Sequence, residues 1–101
     1  MLQIDTENDV FFAKITGALT IYEVAEYQLQ LQQLDLDNGQ VMVDLAGVDE
    51  IDTAGLQLLM VLRKSLGERL RMQNHSPSVI ELLDIYHLAT FFGDHIILSG
   101  H

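Results

Sequence analysis

The chain has 101 residues, 15 of them acidic and 5 basic, for a formal charge of −10 with histidine neutral. That length fits one domain over residues 1–101, the 49% hydrophobic content supplies a core that an acidic disordered tail lacks, and zero cysteines exclude disulfides, thiolate metal sites and cysteine nucleophiles. The charge repels phosphate backbones and anionic lipid, no apolar run approaches about 18 residues, and the start (Met1-Leu2-Gln3-Ile4-Asp5) lacks the basic-then-apolar build of a signal peptide. The expectation is a cytoplasmic domain with no nucleic-acid partner and no direct membrane insertion.

In chain order, Val10 to Ile15 is rich in strand-forming residues and ends at Thr16-Gly17; Leu2 to Asp5 pairs with it across Thr6-Glu7-Asn8-Asp9. Thr20 and Glu23 have the spacing of a capping box. Behind them Ile21, Val24, Tyr27, Leu31 and Leu34 recur at helical spacing, predicting one inward face. Asp37-Asn38-Gly39 breaks this helix, and Val41 to Leu45 reads as a buried strand.

From Gly55 to Leu66 apolar residues cover most of the helical circumference, so this helix should be largely buried, with Arg63 and Lys64 in its last turn and Gly67 after it. Leu70 to His75 alternates as a strand does. Ser76-Pro77-Ser78 opens another helix, with Ser78 and Glu81 as a second capping box and Val79, Leu82, Leu83 and Tyr86 as its inner face. His95 to Leu98 reads as a last strand.

The order β-β-α-β-α-β-α-β predicts an α/β domain: a mostly parallel mixed sheet with an N-terminal antiparallel hairpin, packed against three or four helices through right-handed crossovers.

One stretch is chemically unusual. Asp44, Asp49, Glu50 and Asp52 place four carboxylates in nine residues, between a buried strand and a buried helix. The carboxyl end of a strand is where open α/β sheets usually carry their sites. Thr53 falls at or beside the first turn of the following helix, where free backbone N–H groups stabilise an added phosphate. Either Asp52 or Thr53 can also serve simply as the helix N-cap.

The run Asp52-Thr53-Ala54-Gly55-Leu56, preceded by Val41 to Leu45, resembles the signature of STAS domains, the anti-sigma-factor-antagonist family. Gly17-Ala18-Leu19 is similar to that family's loop before its first helix, and Ser76 to Ile85 is similar to its last-helix region. The resemblance implies a bacterial STAS fold and a non-enzymatic, protein-binding role in partner switching. It makes Thr53 the phospho-acceptor, with Asp52, Ala54, Gly55 and Leu56 as neighbours of the switch and Gly17, Asp49 and Glu50 near the partner interface. The implied partner is a serine/threonine kinase of the anti-sigma type. Other members dock only: the alternatives are an accessory subunit bound to the ATPase of an ABC-type lipid transporter, or an adaptor in a chemotaxis-type cluster. A phosphate among Asp49, Glu50 and Asp52 would be repelled by its neighbours and by any acidic partner face.

His75, His87, His95 and His101 share no metal-ligand spacing and no cysteine supports them, so no metal or cofactor is expected. The acids of the central stretch have no histidine or basic residue among them, so no catalytic residue is assigned. Phe91-Phe92-Gly93 divides between core packing and partner contact, and Arg63, Lys64, Arg69 and Arg71 read as a solvated helix end and strand edge. The oligomeric state is left open.

Overall fold

Two hydrophobic periods, two and 3.6, alternate along this chain, and the sheet and helices they produce share one core. A computed structural model describes residues 1–34 and 39–87. In order they form β1 (Leu2–Glu7), β2 (Val10–Leu19), α1 (Ile21–Gln32), β3 (Gln40–Ile51), α2 (Thr53–Leu66), a 3₁₀ turn (Gly67–Arg69), β4 (Leu70–Gln73) and α3 (Pro77–Ile85). The expected strand at His95 to Leu98, the Phe91-Phe92-Gly93 segment and Asp37-Asn38 lie outside the described residues.

The four strands are ordered β1-β2-β3-β4. β1 and β2 form the antiparallel hairpin, turning through Asn8 and Asp9 at positive φ, while β2–β3 and β3–β4 pair parallel. The mixed sheet with its N-terminal hairpin is as the sequence predicts. Alternate residues Val41, Val43 and Leu45 of β3 are buried with Ala13 and Ile15 of β2 and Leu70 and Met72 of β4. α1 contributes Tyr27 and Leu31 to this core, α2 contributes Leu56, Leu58, Leu59, Leu62 and Leu66, and α3 contributes Val79 and Leu83.

Several boundaries differ from the expectation. β2 does not stop at Thr16-Gly17, and β3 runs well past Leu45. Both extensions depend on register shifts. Between Lys14–Asp44 and Thr16–Gly47, two β3 residues oppose one of β2. The Asp44 carboxylate accepts the Ala46 N–H at 2.9 Å inside this bulge. The extra residue moves the inward position from the odd series to Val48, which stays buried. Gly47 is required there, because a Cβ would lie 2.6 Å from Thr16 Cγ2. The second shift, between Gly17 and Ala18, leaves Asp49 without a register partner on β2.

On α1, Ile21 is exposed rather than inward, because the N1 position precedes the turn that packs on the sheet. On α3 the N-cap is Ser76, not Ser78: the Ser76 hydroxyl accepts the Val79 N–H at 3.3 Å, and Pro77 takes N1, where its missing N–H costs nothing. Ser78 and Glu81 therefore form no capping box. Tyr86 ends α3 on an exposed position rather than joining its inner face. β4 ends at Gln73, because Asn74 turns to positive φ before His75. Among the described residues, no helix is long and apolar enough to cross a membrane.

Candidate functional site

The end of β3 and the start of α2 carry the candidate site, and Asp52 organises it. Its Oδ1 accepts the Gly55 N–H at 3.0 Å, which makes Asp52, not Thr53, the N-cap of α2. Its Oδ2 accepts the Ile21 N–H, also at 3.0 Å. One carboxylate thus holds the first turns of both α1 and α2, in the positive field at each helix start. Thr20 completes the junction: its hydroxyl donates to the Glu23 carboxylate at 2.6 Å and accepts the Tyr22 N–H at 3.4 Å, so the capping box read from the sequence is present.

The Gly55 N–H bond, more than any other influence, holds the Asp52 carboxyl below the usual carboxylate range, with the Ile21 bond adding to it. A depressed folded-state pKa means that the stabilisation is complete above the unfolded value of 3.8 and fades as the pH falls through the lower folded value. We expect Asp52→Ala to cost about 1–2 kcal/mol of stability near neutral pH, the cost of an N-cap loss. Urea titrations of both proteins from neutral to acid pH should show this gap closing below the ordinary carboxylate range. A gap that widens in acid would contradict the assignment.

Thr53 occupies the first position of α2 and its side chain is exposed. Ala54 is half-buried, while Gly55 and Leu56 are buried. Leu56 belongs to the core, and Gly55 lies directly against the Leu19 carbonyl, where any Cβ would collide. These two residues therefore shape the backbone below Thr53, leaving Thr53 itself as the exposed chemical group of the motif.

The four clustered acids do not converge. Asp44 is spent inside the bulge, eight positions before Asp52. Asp49 and Glu50 are exposed on β3 itself, not on a loop. The ladder sets Gly17 beside Val48 and Ala18 beside Glu50, which brings the expected interface residues to one end of the sheet. Ser78, which the sequence gives no reason to single out, ties α3 to this end by donating its hydroxyl to the Asp49 carbonyl at 3.0 Å. That carbonyl belongs to the residue the second shift leaves unpaired, a tertiary circumstance with no local signal.

Chemically, the site offers an exposed hydroxyl whose nearest carboxylate is already engaged by two backbone amides. Asp52 is thus committed to helix capping rather than poised as a base. The arrangement suits a group acted upon from outside.

Comparison with known proteins follows the same geometry. The family model described as "Mlab, STAS domain" matches residues 3–98. Among solved structures, the anti-sigma factor antagonist SpoIIAA in its unphosphorylated form is 14% identical with a TM-score of 0.74, the match covering 95% of this chain and 89% of that one. An anti-sigma factor antagonist from Mycobacterium paratuberculosis is 14% identical with a TM-score of 0.77, covering 98% of this chain and 87% of that one. A sulfate transporter family protein from Wolinella succinogenes is 16% identical with a TM-score of 0.71, covering 88% of this chain and 75% of that one. The fold also recurs within longer proteins, since this chain spans only 19% of Mglu. At these identities the neighbours bear on fold alone. No curated protein matches.

Proposed function

The chain belongs to the STAS domain family, in the group described as Mlab, STAS domain, and from that premise we propose that it is a non-enzymatic, cytoplasmic, bacterial regulator that binds a partner protein and is controlled by phosphorylation at Thr53. The observation that carries this reading is the position of Thr53: an exposed hydroxyl at the first residue of α2, on a turn pinned by both oxygens of Asp52. Such a turn presents one hydroxyl in a fixed direction. That two of the neighbours in fold are anti-sigma factor antagonists supports a partner-switching role of the same kind.

The partner is a serine/threonine kinase of the anti-sigma type. To transfer a phosphoryl group it must bring its nucleotide phosphates up to the Thr53 hydroxyl. After transfer, the new phosphate, with a charge of about −1.5 to −2, faces the nucleoside diphosphate left behind and has Asp52 and Glu50 beside it. Repulsion and the desolvation of a doubly charged group then favour release with no change of fold. Asp49, Glu50 and Gly17 border the contact.

The test is incubation with an anti-sigma-type kinase from the same organism and ATP, followed by location of the phosphate by mass spectrometry. Phosphate on Thr53, and its loss in Thr53→Ala, is the expected result. An unmodified Thr53 under conditions where the kinase labels another substrate would contradict the switch. A second reading, constitutive docking to a transporter ATPase, is favoured by the sulfate transporter family neighbour and by the family's own description. It predicts partner binding that is indifferent to Thr53.

A further inference from the structure

α1 and α2 lie side by side and run in the same direction, because each returns the chain between parallel strands. Their outward surface is unusually apolar. Tyr22 is 90% exposed, Ile21 64%, Leu29 60% and, on α2, Val61 49%. Tyr22, Ala25 and Leu29 are spaced by three and four, so they form one stripe along the solvent side of α1. Between the helices runs a groove of about 300 Å³ with Leu31, Leu58, Leu62 and Leu66 in its floor and Val61 on its wall.

The charges along this surface are divided by sign. At the N-terminal ends stand Glu23, Glu26 and the Asp52 carboxylate, with Glu50 adjacent in the chain; at the C-terminal end of α2 stand Arg63, Lys64 and Arg69. Arg63 already closes that end by donating to the Gly67 and Leu70 carbonyls at 2.8 and 3.2 Å.

We propose that this α1–α2 face binds a second copy of the same chain in an antiparallel, two-fold arrangement. A two-fold axis perpendicular to the helices lays the acidic end of each protomer on the basic end of the other, and places the apolar centre of one face on that of its mate. That self-complementarity is what an isologous interface requires. The charge pattern selects the occupant: a partner of uniform sign would be attracted at one end and repelled at the other. The helices are about 18 and 21 Å long, giving a footprint of roughly 400 Å² per protomer. This is below the roughly 800 Å² per partner of standard stable interfaces, so the dimer is weak and appears only as concentration rises.

Sedimentation velocity on the full chain, from about 10 µM to about 1 mM, tests this. The expected result is a reversible monomer–dimer equilibrium within that range. Leu29→Glu and Val61→Glu, both at exposed positions, should weaken it by about tenfold or more, with circular dichroism verifying the fold. Glu26→Lys separates specific pairing from general charge. It reduces the net negative charge and would strengthen a merely non-specific association, whereas the antiparallel pairing requires it to weaken the dimer. A monomer throughout the range, a dimer indifferent to Leu29→Glu and Val61→Glu, or tighter association of Glu26→Lys would each overturn the proposal. None of these results depends on whether Thr53 is phosphorylated.

Discussion

Gly55→Ala lowers the thermal midpoint by about 10 °C or more, although alanine is the better helix former by nearly 1 kcal/mol. The expected loss comes from one contact. A Cβ at position 55 would collide with the Leu19 carbonyl oxygen and lie 2.9 Å from Leu19 Cγ. Neither atom can readily give way. The Leu19 side chain is fully buried, and its carbonyl accepts the Asp52 N–H at 3.4 Å. Relief requires moving the first turn of α2 away from the end of β2, which also disturbs both hydrogen bonds to the Asp52 carboxylate. Overpacking of this kind costs about 1–3 kcal/mol, and each kcal/mol shifts the midpoint of a domain this size by roughly 4–8 °C. Gln57→Ala, an exposed change on the same helix, should stay within about 0.5 kcal/mol of the parent. If Gly55→Ala melts at or above the parent, the close approach of α2 to β2 is wrong, and with it the placement of Thr53.

Thr53→Glu weakens kinase binding by about ten- to a hundredfold, while Thr53→Ala stays within a few-fold of the parent. The argument depends on exposure and on the helix start. Thr53 is exposed, so alanine removes only a small hydroxyl from the contact. Glutamate adds a charge beside Asp52 and opposite the nucleotide phosphates of the kinase. A carboxylate carries one charge where a phosphate carries nearly two, so glutamate understates the effect of modification. The fold is not at issue: an acidic side chain in the first turn of a helix is mildly favourable, so Thr53→Glu should melt no lower than the parent. Reduced binding with unchanged stability then isolates the interface. Equal affinities for the two variants would favour the docking-only reading.

The parts of this fold legible in the sequence are those set by local pattern. The hairpin, the capping box of Thr20 and Glu23, the apolar circumference of α2 and the αβ alternation all follow from residues within a turn or two of each other. The misreadings share a different cause. β2 and β3 extend past their expected ends only because each supplies the other with a partner across two register shifts, and the alternation breaks where the bulge is inserted. Ser78 has the spacing of a cap, yet Pro77 assigns that role to Ser76 and frees Ser78 for the Asp49 carbonyl. Asp52 is readable as a cap of α2 but not as a tie to α1, since Ile21 lies 31 residues earlier. The exposed stripe of α1 is hidden for a similar reason, because Tyr22 and Leu29 look like core residues until the sheet is shown to take only the Tyr27–Leu31 side.

The central claim is that a phosphate on Thr53 controls a protein contact. Titration of the same anti-sigma-type kinase, loaded with nucleoside diphosphate, into unmodified and Thr53-phosphorylated protein measures this directly. A dissociation constant raised at least about tenfold by the phosphate is the predicted result. An unchanged or tighter complex with the phosphorylated protein would contradict it.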